Sequence, residues 1–200
     1  MYQTQHDWDE LYRRRETPWE KGQPHPALLD FLAENGPLAA EIFVPGCGSG
    51  HDVRALSTES NHVLGIDIAN RAIAKAKARP RIAQEEYLLA DLFELPAELD
   101  HRFDWVFEHT CFCAIHPGMR ERYVETIVRL LRPHGHLLAI FFINPDHEEE
   151  GPPYRVSRTE LDEMFGPYFA LEREWVPPRT HPGRERRELM RVLRRPECGS

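Results

Sequence analysis

Three glycines at alternate positions follow a short apolar run near residue 43, and an acidic residue ends the next apolar run. The glycines are Gly46, Gly48 and Gly50, and the acid is Asp67. An apolar run that ends in such glycines is typical of a buried strand, a tight turn and the start of a helix. Glycine is needed where a ligand approaches the backbone closely or where φ is positive, and a carboxylate about 20 residues later can accept both ribose hydroxyls of a nucleoside. The two runs together predict a site for a nucleoside-carrying cofactor.

The residues that are missing from this turn narrow the choice of cofactor. A dinucleotide-binding turn carries a further glycine three positions after Gly48, where this chain has His51. The Gly-Lys-Ser/Thr sequence of a phosphate-binding loop does not follow the turn either. The remaining pattern, alternate glycines with an acid downstream, is typical of sites for S-adenosylmethionine. An ordinary glycine-rich strand–helix turn is the alternative that these residues leave open.

Polar residues that follow two later strands are candidates for the same site. Asp91 can accept from the exocyclic amine of adenine while Leu92 covers the ring, although Asp91 is about equally suited to capping a helix. His109 follows the fourth predicted strand and can receive a substrate proton or, as a neutral ring, shape the pocket, and we favour the second role. Arg120 can orient an anionic substrate, with a surface ion pair or a helix cap as the alternative.

Three aromatic residues near the N-terminus are candidates for a cover over the site. Trp8 and Tyr12 lie on one face of a predicted helix, and Trp19 lies in a loop rich in proline and glycine. These side chains either pack in the core or fold over the cofactor, where aromatic rings suit a sulfonium cation.

Helical and strand patterns alternate along most of the chain, which indicates an α/β fold with a largely parallel sheet and ligands bound beyond the carboxyl ends of its strands. The predicted helices are 3–15, 26–35, 52–59, 70–79, 121–131 and 157–165. The predicted strands are 41–44, 63–67, 85–90, 103–107, 136–143, 169–176 and 188–192, with a turn at 132–135. The acidic connection 144–153 is long for a strand–helix loop, so we expect the segment up to Tyr154 to fold back over the pocket.

Composition favours one domain that acts on a small molecule. The 200 residues are 41% hydrophobic, and we expect a cap at 1–36, a core at 37–195 and a frayed tail at 196–200. The formal net charge of −8 argues against a nucleic-acid surface, which needs clustered Lys and Arg. Lacking a long apolar run or a signal-peptide pattern, the protein is expected to be cytoplasmic, away from membranes and monomeric.

The four cysteines do not form a recognisable framework. They are expected to be reduced. Cys111 and Cys113 lie near His109 and His116, but the second pair of ligands that zinc sites normally carry is missing, so we predict no metal.

Several motifs together resemble one known family. They are Trp8, Tyr12 and Thr17-Pro18-Trp19, Val44-Pro45-Gly46-Cys47-Gly48-Ser49-Gly50-His51-Asp52, Gly65-Ile66-Asp67, 113–120 and 151–154. In this order they are similar to the thiopurine S-methyltransferase family, nearer its thiol, thiocyanate and halide methyltransferases, over about residues 8–160.

The resemblance implies a Rossmann-like class I methyltransferase fold, a seven-stranded and mostly parallel sheet with helices on both faces and an N-terminal helical lid. It implies S-adenosylmethionine as cofactor and S-adenosylhomocysteine as product. It places the following residues on cofactor-contacting positions: Trp8, Tyr12, Trp19, Gly46, Gly48, Gly50, Asp67, Asp91, Leu92 and His109. The candidate catalytic residues are His109, Trp19, Arg120 and Tyr154.

The expected reaction is an in-line attack by a thiol, thiopurine-like thiol, halide, thiocyanate or chalcogen oxyanion on the cofactor methyl group. Such a reaction needs alignment and exclusion of water more than a strong base. Two other functions remain open. The first is methylation of an amine, because Pro152-Pro153-Tyr154 is similar to the motif of enzymes that methylate amines in nucleic acids or proteins, although it follows the fifth strand rather than the fourth. The second is a protein that binds the cofactor without turnover.

Overall fold

Seven strands and six α-helices make up the part of the chain that the computed structural model describes, residues 4–38, 40–143 and 151–197. The strands are β1 (Ala40–Val44), β2 (Asn61–Asp67), β3 (Glu85–Leu89), β4 (Phe103–His109), β5 (Leu131–Phe142), β6 (Ala170–Trp175) and β7 (Glu188–Arg194). The helices are α1 (Gln5–Arg14), α2 (Pro26–Asn35), α3 (His51–Leu56), α4 (Asn70–Lys77), α5 (Arg120–Leu130) and α6 (Arg158–Phe165). The sheet order is β3-β2-β1-β4-β5-β7-β6, and β1–β2, β2–β3 and β4–β5 pair in parallel. The predicted α/β fold with a seven-stranded, mostly parallel sheet is confirmed.

The chain divides into two compact units, residues 1–95 and 96–200. In the first unit, β1 and β2 are apolar runs whose central side chains are buried, as expected of parallel strands covered on both faces. Their register pairs Val44 with Gly65, and Asp67 at the end of β2 pairs with Leu89 at the end of β3. The polar ends of these strands are therefore held in a fixed relation by the backbone ladder.

Helix α1 in the same unit begins at a capping box. The Thr4 hydroxyl accepts from the Asp7 N–H, and the Asp7 carboxylate accepts from the Thr4 N–H at 2.7 Å. This exchange satisfies two backbone donors that the first helical turn leaves without partners. Helix α1 packs against α4, where Asp9 accepts from the Arg71 N–H at 2.7 Å.

The second unit combines parallel and antiparallel pairing. Strand β7 pairs antiparallel with both β5 and β6. Phe112, Phe141 and Phe165 meet in its core with ring centroids 5.3–5.5 Å apart. The predicted capping box is confirmed, since the Ser157 side chain accepts from the Glu160 N–H at 3.1 Å at the start of α6.

Some predicted boundaries are wrong. Helix α3 ends at Leu56 rather than at residue 59, because Ser57 takes an extended backbone. Strand β4 continues to His109 because its pairing with β5 extends to Ile140. The predicted turn at 132–135 belongs to β5, whose register with β4 shifts there: Phe103 pairs with Leu131 and the next pair involves His136.

The predicted acidic connection lies partly outside the described residues, which resume at Gly151. The segment that follows does fold back within its own unit, since the Tyr154 N–H donates to the Cys113 carbonyl at 2.6 Å. The tail beyond residue 197 also lies outside the described residues. None of the helices that the structure describes is long and apolar enough to cross a membrane.

Candidate active site

The glycine turn after β1 leaves no room for side chains at its centre. Gly46, Gly48 and Gly50 have φ values of +57°, +54° and +77°, a region that other residues adopt only with strain. A Cβ on Gly48 would lie 2.7 Å from Glu20 Oε1, and a Cβ on Gly50 would lie 2.6 Å from the Tyr87 ring. The turn therefore needs glycine for backbone conformation and for space, as the sequence predicted.

Asp67 ends β2 and is fastened to this turn. Its Oδ2 accepts from the Gly48 N–H at 2.9 Å and its Oδ1 accepts from the Ala69 N–H at 2.8 Å. Burial raises the pKa of Asp67 from 3.8 to about 6, and the negative charge of Glu20 raises it further. The backbone hydrogen bonds to the carboxylate lower the pKa and offset part of this rise. Each carboxylate oxygen has two lone pairs, so Asp67 retains acceptor capacity for the hydroxyls of a ribose.

The three N-terminal aromatic residues form one cluster. The Trp19 ring meets the Trp8 ring at 5.3 Å and the Tyr12 ring at 6.0 Å between centroids, both edge to face. Trp19 Nε1 donates to the Tyr12 hydroxyl at 3.2 Å. Tyr12 is buried, and it packs with Ala69 and Ala72. The aromatic cluster thus packs against the residues that follow Asp67. That this cluster covers the cofactor, or opens and closes over it, stays a prediction.

Glu20 is a residue of this site that the sequence analysis missed. Its carboxylate accepts from the Ser49 N–H at 3.2 Å, from the Ser49 hydroxyl at 2.5 Å and from the Tyr12 hydroxyl at 3.3 Å. No periodicity or motif singled out an acid in a loop, and its position directly after Trp19 was the one signal available.

Asp91 and Leu92 follow β3 beside the end of β2. The Ala90 N–H donates to the Asp67 carbonyl at 3.1 Å, which fixes the start of this segment. Asp91 accepts from the Phe93 N–H at 2.8 Å and caps a short 3₁₀ helix, Leu92–Glu94, and Leu92 is buried. The capping role considered for Asp91 is therefore present, and its contact with adenine stays a prediction.

In the second unit, His109 lies at the end of β4 among basic groups. Its ring stacks on the His181 ring with centroids 6.1 Å apart, and its Nε2 lies 3.5 Å from Arg184 Nη1. Arg184 also donates to the buried Glu188 at 3.1 Å. Sequence reasoning missed His181 and Arg184, because they lie in a Pro-rich loop more than 70 residues after His109.

Arg120 and Tyr154 meet at a different place in this unit. Arg120 is buried, and its Nη2 donates to the carbonyls of Tyr154 and Arg155 at 3.1 and 3.0 Å. The Tyr154 ring lies 5.4 Å from the His116 ring. These contacts make Arg120 a residue that fixes the segment after Gly151, and direct contact of Arg120 or Tyr154 with a substrate stays a prediction.

The cysteines of the described segments are free thiols. Burial raises the pKa of Cys113 to about 12, and its thiol donates to the Thr110 carbonyl at 3.4 Å. Burial also raises the pKa of Cys47, and the negative charge of Asp67 raises it further. Thiols with raised pKa values are poor nucleophiles, so we assign these cysteines to packing.

Solved structures with this architecture include methyltransferases. A solved 1,6-didemethyltoxoflavin-N1-methyltransferase of Burkholderia thailandensis, with bound S-adenosylhomocysteine, superposes with a TM-score of 0.75 at 20% identity, over 96% of this chain and 87% of that one. The likeness defines the fold as that of class I methyltransferases.

The family follows from the sequence comparison. The profile of the thiopurine S-methyltransferase family matches residues 3–176, and the chain belongs to this family. It is 35% identical to a probable thiol methyltransferase 2 of Arabidopsis thaliana over 166 residues, 80% of this chain and 71% of that protein. It is 33% identical to thiocyanate methyltransferase 1 of the same plant over 165 residues, with the same shares covered. The chain is accordingly an S-adenosylmethionine-dependent methyltransferase, as predicted.

The residues of the first unit fit this cofactor. A partly buried carboxylate at Asp67 suits the ribose, and the acids Asp67 and Glu20 suit a ligand that carries positive charge. Trp8, Tyr12 and Trp19 form an aromatic cluster of the kind that suits a sulfonium cation, and their contact with the cofactor stays a prediction.

Proposed function

We propose that the protein transfers a methyl group to a small, soft anion, such as a thiolate, thiocyanate or a halide. The proposal rests on the names of its relatives, a thiol and a thiocyanate methyltransferase, and on one observation of the structure. That observation is the group of side chains around His109 at the end of β4: His109, His181 and Arg184, with the buried Glu188 as the ion-pair partner of Arg184.

The contact between Arg184 and His109 occupies one ring nitrogen of the imidazole. A guanidinium can only donate, so His109 Nε2 is the acceptor in this contact, at 3.5 Å. An Nε2 that accepts from Arg184 is not available to take a substrate proton, which supports the role of His109 in shaping the pocket. A soft anion that arrives already deprotonated needs no base.

Arg184 is the residue suited to hold the anion. Its Nη1 serves both Glu188 and His109, and a guanidinium carries five N–H donors, so donors remain for an incoming anion. Its guanidinium also lies 4.9 Å from the centre of the Phe142 ring, which gives this corner an apolar wall. Partial desolvation beside an apolar wall favours a polarisable, weakly hydrated anion over a strongly hydrated one.

S-adenosylmethionine, when bound, supplies an electrophilic methyl group on a sulfonium. The chain contributes alignment and exclusion of water, which account for most of the acceleration in such a transfer. In the proposed assignment of roles, Asp67 and the glycine turn bind the cofactor, and Arg184 and His109 bind the methyl acceptor.

The test is a transfer assay with methyl-labelled S-adenosylmethionine and a panel of iodide, thiocyanate, hydrosulfide, an aryl thiol, a small amine and RNA, with volatile products detected by mass spectrometry. We expect methylation of at least one soft anion. Transfer confined to the amine or RNA would establish the rival reaction, and cofactor binding without any transfer would establish a binding protein.

A matched pair of arginine variants tests the acceptor site. Arg184→Gln should raise the KM for the anion about tenfold or more, because a charge-assisted hydrogen bond is lost, and leave the cofactor Kd within about twofold. Arg173→Gln, at an exposed position on β6, should change neither. Equal KM values for the two variants would exclude Arg184 from acceptor binding.

A further inference from the structure

Glu20 occupies one backbone donor of the glycine turn, the Ser49 N–H, which an anion would otherwise use. In dinucleotide sites the N–H groups of such a turn and of the following helix bind a pyrophosphate. Here the Ser49 N–H and the Ser49 hydroxyl both donate to Glu20. A carboxylate of the chain itself therefore stands where a phosphate stands in the dinucleotide case.

The same carboxylate lies directly over Gly48. A Cβ on this glycine would meet Glu20 Oε1 at 2.7 Å and the Tyr12 hydroxyl at 3.2 Å. Asp67 approaches Gly48 from its N–H, at 2.9 Å. Gly48 is thus flanked by two carboxylates, and the contribution of Glu20 to the raised pKa of Asp67 is consistent with their closeness.

The position of Asp67 sets the direction of the ligand. With the ribose on this carboxylate, the substituent on the ribose 5′ carbon extends toward the glycine turn, as the pyrophosphate does in a dinucleotide site. In S-adenosylmethionine this substituent carries a sulfonium and an α-ammonium. Its positive groups would then be attracted to the Glu20 carboxylate, whereas the negative charge of a 5′-phosphate would be repelled by it.

We propose that Glu20 binds the α-ammonium group of the cofactor and, by occupying the Ser49 donors, makes the turn select a cationic 5′ substituent over a phosphate. This proposal rests on the cofactor assignment above and names a binding residue for it. Glu20 also accepts from Tyr12, so the same carboxylate joins the aromatic cluster to the turn.

The test is the binding of three adenosine ligands, measured by calorimetry on the full chain. The ligands are S-adenosylhomocysteine, its desamino analogue, which lacks only the α-ammonium, and adenosine 5′-monophosphate. For Glu20→Gln we expect about tenfold to a hundredfold weaker binding of S-adenosylhomocysteine, little change for the desamino analogue, and at least about threefold tighter binding of the monophosphate. Structural damage would instead weaken all three together.

Glu16→Gln is the matched control, because it makes the same change at an exposed position of the same segment, and it should leave all three affinities within about twofold. The unaltered protein gives an independent reading if Glu20→Gln fails to fold: it should bind the desamino analogue about tenfold or more weakly than S-adenosylhomocysteine. Equal affinities for that pair, or a uniform loss in Glu20→Gln, would overturn the role of Glu20. If the unaltered protein bound none of the ligands, the cofactor assignment itself would fail.

Discussion

Replacing Asp67 with alanine separates the role of this carboxylate in cofactor binding from its role in the fold. A hydrogen bond to a charged acceptor contributes about 1.5–3 kcal/mol, and 1.4 kcal/mol corresponds to tenfold in affinity. If Asp67 accepts from the ribose, Asp67→Ala should weaken binding of S-adenosylhomocysteine by about one to two orders of magnitude at pH 7.5.

The effect on stability has two parts of opposite sign. The variant leaves the Gly48 and Ala69 N–H groups without their acceptor, at a cost of about 1–3 kcal/mol for each group that stays buried. It also removes a partly buried acid whose pKa is raised from 3.8 to about 6, a rise that corresponds to about 3 kcal/mol of destabilisation above pH 6. With both groups left buried the cost is about 2–6 kcal/mol, so the net change at neutral pH should lie between about 1 kcal/mol of stabilisation and about 3 kcal/mol of destabilisation.

The pH dependence follows from the direction of the shift. Between pH 3.8 and about 6 the folded protein holds the Asp67 proton more tightly than the unfolded chain does, so this group makes folding less favourable as pH rises through that window. Asp67→Ala lacks this penalty. The stability of the variant relative to the unaltered protein should therefore improve by about 2 kcal/mol from pH 4.5 to pH 7.5.

Calorimetry at pH 7.5 and urea unfolding at pH 4.5 and 7.5 measure these quantities. Asp104→Ala, which removes a partly exposed acid paired with Arg132 in the second unit, should leave cofactor affinity within about twofold. An affinity for Asp67→Ala equal to that of the unaltered protein would remove the ribose assignment. A stability difference that is the same at both pH values would show that the carboxylate does not carry a raised pKa.

Two further predictions concern the fold around the site. Gly50→Ala should lower the free energy of unfolding, measured in urea, by about 2–4 kcal/mol, because of left-handed backbone strain and the clash with Tyr87. The control Gly22→Ala, at φ of +75° with open space around it, should lower it by only about 1–2 kcal/mol. Equal losses in the two variants would contradict the clash. Tyr123→Phe removes the hydroxyl that donates to the buried Glu108 and should cost about 1–3 kcal/mol. Burial raises the pKa of Glu108 above its ordinary value of 4.5 and this hydrogen bond opposes the rise, so the loss of stability should grow as Glu108 ionises with rising pH. A loss independent of pH would contradict an ionised acceptor.

The sequence alone determined the glycine turn and the acid that follows it. The reason is that both depend on local rules: glycine is required where φ is positive, and a strand, a helix and a second strand return the chain to the same sheet edge after about 20 residues. The alternation of helices and strands, the capping box at Ser157 and the family followed from the same kind of information. Each is written in a short stretch of residues.

Only the tertiary structure identified Glu20, His181 and Arg184. Glu20 lies 29 residues from Ser49, and Arg184 lies 75 residues from His109. Both lie in loops without periodicity, so neither contact leaves a pattern that can be read along the chain. The hydrogen-bond partners of such side chains depend on how the loops fold onto the sheet. A loop side chain bonds to the groups that the fold brings near it, and these are not its neighbours in sequence. The sequence thus determined the kind of cofactor, and the folded chain decided which charged side chains lie beside the glycine turn.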